Sequence, residues 1–187
     1  MGAARRPVGG GRGHHPARRR RRPVSDLQIE YSLISRGVED AILPVCRELG
    51  IGITAYGVLA RGLISGHWTR DRQLSPATSA ASAPVQRREP GPQPGPGGRA
   101  ARDRRGPGVS VAQVAIAWVL AQATRQDAAI VPLIGARRRD RLTEALGALD
   151  VTLTDADLAA IEKAVPPGAA AGARYPEQQM VHLDSEK

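Results

Sequence analysis

Residues 77–108 hold six prolines, six glycines and six arginines, with Val85 their single β-branched apolar residue. Proline removes a backbone donor and glycine costs entropy in any regular element, so neither helix nor strand is expected at that density. A core must therefore come from two stretches on either side, residues 24–76 and 109–187, that meet across this linker. Residues 1–23 open the chain with eight arginines, no acidic residue and no periodic apolar face, and read as a disordered leader.

Charge follows the same division. The formal balance of +9 would suit a nucleic-acid or membrane partner, but 14 of the 27 basic residues lie in those two segments, against Glu89 and Asp103. The remainder carries 13 basic and 16 acidic residues and is mildly acidic. No aromatic residue interleaves with the arginines, which disfavours base stacking. Cys46 is the one cysteine, so an intrachain disulfide and a thiolate metal cluster are excluded, and its place in an apolar repeat marks it as packing. No run of about 18 apolar residues is present to span a bilayer. The arginines at the N-terminus have no apolar segment behind them, unlike a secretory signal. A soluble cytoplasmic protein without a metal is the expectation.

Within the two stretches the apolar period alternates. Leu27, Ile29, Tyr31 and Leu33 alternate with polar residues, as in a strand. From Val38 the spacing changes to three and four through Ile42, Val45, Cys46 and Leu49, predicting a helix that Gly50 ends and Pro44 kinks. Ile51 to Tyr56 reads as a buried strand and Gly57 to Gly66 as a loop. Ser110 is placed to cap a helix whose face is Val111, Val114, Ala115, Trp118 and Ala121. Ile130 to Ile134 is a third strand, Arg137 to Leu146 a helix, and Thr154 caps a last helix, Ala156 to Val165, with Asp157 three residues on. The order is three consecutive β/α units, the pattern of a parallel sheet.

Three stretches resemble aldo-keto reductases. Leu27-Gln28-Ile29-Glu30-Tyr31-Ser32-Leu33, with Arg36 and Glu39-Asp40-x-Ile42-Leu43-Pro44, is similar to that family's sixth strand and following helix. Ala55-Tyr56-Gly57-Val58-Leu59-Ala60-Arg61-Gly62-Leu63 is similar to the segment ending the seventh strand, commonly Tyr-Ser-Pro-Leu-Gly-Arg-Gly. Val131-Pro132-Leu133-Ile134-Gly135-Ala136-Arg137, through Leu142 and Glu144, is similar to the phosphate motif of the eighth. Gly172-Ala173-Arg174-Tyr175-Pro176 fits a common subfamily ending. The resemblance implies part of a (β/α)8 TIM barrel, strands six to eight plus a C-terminal helix. It also implies an oxidoreductase that passes hydride between NADP(H) and a small carbonyl or alcohol substrate.

The cofactor residues follow from that resemblance and from local chemistry. Tyr56, last in its strand, is implied to stack on the nicotinamide, and the Gln28 amide to pair with the carboxamide. Gly57, Leu59 and Arg61 belong to the loop after strand seven. Gly135 and Ala136 are expected to open a helix whose free N–H groups suit an anion. Arg137 and Arg141, four apart, are expected to share one helical face and hold the 2′-phosphate of NADP, while Arg138 and Arg139 read as a solvated face. Glu144 matches a family residue facing the adenine. The pattern departs where Ala145 replaces a frequent Asn and Gly57-Val58 replaces Ser-Pro.

No catalytic residue is assigned. The family resemblance implies a Tyr acid beside a Lys, supported by Asp and His, all from the first four strands. This chain offers Lys163 and Lys187, with His14, His15, His67 and His182. No Tyr–Lys pair at a strand end can be drawn from these, so the chain alone is expected to be inactive, a truncated form that binds cofactor. Its open strand edges invite self-association. The rival reading is a nucleic-acid-binding protein that uses the arginine-rich segments.

Those segments also read as shifted frames. One nucleotide on, the codons of His14 and His15 become Thr or Ile, Gly13 can become Asp, and Pro16-Ala17 can become Arg-Arg. Asp-Thr-Ile-Arg-Arg resembles the family's helix before strand six. Glu89 and Gln93, each followed by proline, can shift only to Asn or Ser, and the stretch then resembles a helix due at that point.

Overall fold

The computed structural model describes residues 24–66 and 108–168. The leader, most of the 77–108 linker and the Gly172–Pro176 motif lie outside those residues.

Three strands, β1 (Asp26–Glu30), β2 (Gly52–Tyr56) and β3 (Ile130–Pro132), form one parallel sheet in the order β1-β2-β3. Leu27 is opposite Ile53 and Glu30 opposite Tyr56, while Ile53 is also opposite Ile130 and Thr54 opposite Val131. Among the described residues four α-helices accompany the strands: α1 (Ile42–Glu48), α2 (Val111–Arg125), α3 (Arg139–Leu146) and α4 (Asp155–Ala164). Parallel strands need crossovers, and α1 and α2 supply them.

Strand alternation divides the sheet into unlike faces. Leu27, Ile29, Ile53, Ala55 and Ile130 are buried in one core with Leu43 and Cys46 of α1 and Val114, Ala115 and Trp118 of α2. Gln28, Thr54 and Tyr56 on the other face are half-buried, and Val131 is exposed. Fully burying an aliphatic or aromatic side chain contributes about 1.5–3 kcal/mol, so the helix-covered face holds the structure together.

The helix boundaries have local causes, and several correct the sequence reading. The alternating strand expected to reach Leu33 ends at Glu30, because the chain turns back through paired backbone bonds between Ser32 and Ser35. The helix expected from Val38 begins at Ile42. Pro44 therefore falls in the first turn, where no intrahelical donor is missed, and no kink forms. Gly50 ends α1 as expected, at φ +62°. The Ile51 N–H donates to Cys46 O at 2.8 Å and the Gly50 N–H to Arg47 O at 3.1 Å, the paired bonds of a Schellman end.

Ser110 caps α2, accepting from the Gln113 N–H at 3.2 Å while its own N–H donates to Gln113 Oε1 at 2.8 Å. The buried surface of α2 is wider than the single face expected: Ala112 and Val114 through Val119 are all buried, as is Gln122. That helix lies between the sheet and its helical neighbours, so two sides of it are covered. Thr154 and Asp157 form the same reciprocal cap on α4, with the Thr154 N–H donating at 2.9 Å and the Asp157 N–H at 3.2 Å.

A polar cluster ties these elements together on the helical side. The Tyr31 hydroxyl donates to Glu39 Oε1 at 2.7 Å, and Arg36 forks onto both oxygens of Glu39 at 2.9 and 3.0 Å. Arg36 lies over the Trp118 ring, 5.0 Å from its centroid, and Trp118 meets Tyr31 with centroids 5.6 Å apart. Arg125 of α2 pairs with Glu162 of α4 at 2.6 Å.

Candidate functional site

The C-terminal ends of β2 and β3 lie side by side, and the loops leaving them enclose a groove of about 710 Å³. Ligand groups in parallel β/α folds sit at this end of the strands. One wall is Gly57 to Leu59 with Arg61, Gly62 and Ser65; the other is Leu133 to Arg138 with Arg141, Glu144 and Ala145 of α3.

The first wall is held in an unusual backbone. Gly57 has φ +69°, and Ala60, Arg61 and Gly62 follow at +48°, +56° and +97°. Left-handed conformations cost a non-glycine residue about 1–2 kcal/mol, so Ala60 and Arg61 store strain beside the groove. A side chain at Gly57 would also press on the Glu30 Cγ at 3.0 Å, which makes its glycine a structural requirement. Ser65 steadies the turn by donating from its hydroxyl to Gly62 O at 2.7 Å.

The second wall differs. Gly135 has no positive φ, and a Cβ there would meet nothing within 4 Å. Neither backbone conformation nor packing requires glycine at a position that faces open groove.

The helix expected from Arg137 starts at Arg139, with Arg138 extended at the cap position. Gly135, Ala136 and Arg137 therefore all precede α3: Gly135 does not open that helix as expected, and Arg137 does not share a helical face with Arg141, the two lining one wall of the groove. No Ser, Thr, Asp or Asn stands where a side chain could cap an earlier start. Arg138 forks onto Asp140 at 2.9 and 3.0 Å, which holds that carboxyl below the usual range and places a negative charge in the first turn. Arg141 donates to Glu144 at 3.1 Å.

Eight of the ten expected residues thus line one groove: Gly57, Leu59 and Arg61 on one wall, and Gly135, Ala136, Arg137, Arg141 and Glu144 on the other. Gln28 and Tyr56 do not line it. They share the open sheet face on adjacent strands, Gln28 opposite Thr54 and Tyr56 opposite Glu30. The sequence reading missed Val58, Gly62, Ser65, Ala112, Leu133, Ile134, Arg138 and Ala145 as lining residues. Leu133 and Ile134 were legible as neighbours of Gly135; Ala112 is brought in only by the packing of α2. Among the described residues, no group of three His, Cys, Asp or Glu side chains could hold a metal, and no helix is long and apolar enough to cross a membrane.

A parallel β/α sheet with a basic groove at its strand ends is the kind of α/β arrangement in which an anionic ligand could be held. Comparison with known proteins narrows this. A model of the aldo/keto reductase family matches residues 17–166. A probable aldo-keto reductase 1 from Glycine max is 35% identical over 153 residues, which are 82% of this chain and 43% of that protein. Among solved structures, a glycerol dehydrogenase from Gluconobacter oxydans superposes with a TM-score of 0.71 at 23% identity, over 85% of this chain and 49% of that one. An aldo/keto reductase from Klebsiella pneumoniae, solved in complex with NADP and acetate, has a TM-score of 0.53 at 25% identity, covering 76% and 40%. The chain belongs to the aldo/keto reductase family. It spans less than half the length of these relatives, and its α/β sheet corresponds to part of their barrel.

Proposed function

We propose that this chain is the dinucleotide-binding part of an oxidoreductase that passes hydride between NADP(H) and a small carbonyl or alcohol substrate. The observation that carries the proposal is Gly135. Its missing side chain is explained by neither φ nor a neighbour, and it faces a groove with Arg61, Arg137 and Arg141 on its walls. A phosphate brought close to that backbone fits the vacancy of a Cβ and the excess of cations.

When bound, the cofactor supplies or accepts the hydride. The chain's own residues bind and orient it. Arg137 and Arg141 take the 2′-phosphate, Gly135 and Ala136 offer backbone N–H groups, and Glu144 lies on the adenine side. Gly57, Leu59 and Arg61 cover the pyrophosphate from the opposite wall. Gln28 and Tyr56, on the open sheet face, serve the nicotinamide end.

Turnover needs a proton donor beside the substrate oxygen, and the described residues favour binding without turnover. Tyr31 is buried on the helical side and donates to Glu39, and burial followed by that hydrogen bond pushes its phenol up, the wrong direction for an acid. Lys163 is exposed on α4. The chain alone is therefore proposed to bind cofactor weakly, in the micromolar-to-millimolar range, about −4 to −8 kcal/mol, and not to reduce carbonyls.

Calorimetric titration of NADP+ and NAD+ tests the reading. NADP+ should bind more tightly, and an Arg137→Ala, Arg141→Ala double variant should lose roughly 1.5–3 kcal/mol per phosphate-contacting arginine, for NADP+ only. Equal binding of the two cofactors, or an unaffected double variant, would remove these arginines from the site.

A further inference from the structure

The last residue of β1 is a buried carboxylate that the groove does not use. Glu30 is 9% exposed, stands opposite Tyr56 at the end of β2, and does not line the groove. Strand alternation puts it on the face of Asp26 and Gln28, both only half-buried, so its deeper burial comes from the segments folded over it. Burying an ionisable group is unfavourable unless defined neighbours compensate it. On one side the Ser35 hydroxyl donates to Glu30 Oε1 at 3.1 Å. On the other, a Cβ at Gly57 would meet Glu30 Cγ at 3.0 Å, Cδ at 3.3 Å and that same Oε1 at 3.5 Å. One side chain thus stands between the turn after β1 and the loop after β2.

Those two segments differ in kind. The turn is tightly bonded: Ser32 and Ser35 exchange backbone bonds of 3.1 and 3.2 Å, the Ser35 N–H also reaches Ser32 Oγ at 3.2 Å, and both serines are buried. The loop is strained, with positive φ at Gly57, Ala60, Arg61 and Gly62. Such backbone persists only where its surroundings over-determine it. Ser65 secures the far end of the loop through Gly62 O, and Glu30 packs against its near end at Gly57.

We propose that Glu30 is a positioning residue: wedged between Ser35 and Gly57, it passes the rigidity of the turn to residues 57–62 and holds them in the conformation that receives the cofactor. It acts through the loop and not on the cofactor. The consequence for binding rests on the function proposed above, whereas the wedge itself does not.

Amide exchange of the full chain, followed by NMR without cofactor, tests the wedge. The Ala60, Gly62 and Leu63 amides donate to Gly57 O, Leu59 O and Ala60 O, and in Glu30→Ala they should exchange at least about tenfold faster relative to the Ile53 amide of the sheet. Glu30→Gln keeps the volume and an acceptor for Ser35, and should stay within about twofold of the parent. Ser35→Ala removes only the hydroxyl; it should accelerate the same amides about threefold and decides the point if Glu30→Ala does not fold. Titration of NADP+ and NAD+ reads the effect on binding. Glu30→Ala should weaken both by one factor, about three- to tenfold, because both carry the pyrophosphate. Loop amides that change no more than Ile53, a Gln variant as disruptive as the Ala variant, or a loss confined to NADP+ would overturn the proposal. Equal binding of the two cofactors by the parent would count against Arg137 and Arg141 and leave Glu30 in place. A parent that binds neither would overturn the consequence for binding, with the exchange rates still deciding the wedge.

Discussion

The Arg141 guanidinium donates to Glu144 across one turn of α3 at 3.1 Å. A residue proposed for the 2′-phosphate and one proposed for the adenine side thus hold each other before any ligand arrives. Arg141 is 41% exposed, so such a pair contributes only about 0.3–0.5 kcal/mol. Glu144→Gln is expected to release the guanidinium and strengthen NADP+ binding about twofold, more at low salt than at high salt. Titration calorimetry at two ionic strengths checks this. Weaker binding would show that the carboxylate is itself a ligand contact.

Arg61 sets stability against binding. It occupies φ +56° on the groove wall, between Ala60 and Gly62, which also have positive φ. Arg61→Gly is expected to raise folding stability by about 0.5–1 kcal/mol through relief of the left-handed conformation. It should at the same time weaken NADP+ binding through the lost cation. Urea midpoints and the same titration measure both. A variant less stable than the parent would show that contacts of the Arg61 side chain outweigh its strain.

Arg36 is expected to matter more for folding than its position in a loop suggests. Its fork satisfies Glu39, and its guanidinium covers Trp118. The paired side chains are only 12% and 17% exposed. Arg36→Ala leaves a largely buried carboxylate with Tyr31 in place of its cation and should cost about 3 kcal/mol. Arg36→Lys should recover only part of this, because an ammonium cannot make the fork. Denaturant unfolding of both variants decides the point.

Cys46 should behave as packing. Burial, and secondarily the charge of Asp26, pushes its thiol from 9.0 up to about 11. At pH 8 the folded chain should react slowly with an aromatic disulfide reagent, and the unfolded chain rapidly. The same shift makes the fold less stable at alkaline pH. Between about pH 9 and 11 the native thiol keeps a proton that the unfolded thiol loses, so the native state binds more protons and stability falls as pH rises. Tyr31, raised by burial and Glu39, acts in the same direction. Denaturation midpoints at pH 8 and 10.5 should fall in that order.

The order of strands and helices, the caps at Ser110 and Thr154 and the glycine end of α1 were legible in the sequence because each depends on neighbours within a few residues. So were eight of the residues that line the groove, since Gly57 to Arg61 and Gly135 to Glu144 lie in two contiguous segments that carry the family resemblance. Tertiary structure decided what depends on distant partners. It covered α2 on two sides, whereas the end of β1 at Glu30 follows from the local turn between Ser32 and Ser35. The start of α3 past Arg137 has a local cause, the lack of an earlier capping residue, and it leaves the two arginines on one wall of the groove without a shared helical face. Tertiary structure separated Gln28 and Tyr56 from the groove by placing them on the open sheet face. Periodicity records which residues are apolar at which step, whereas burial, register and charge pairing are set by the elements that the chain folds against.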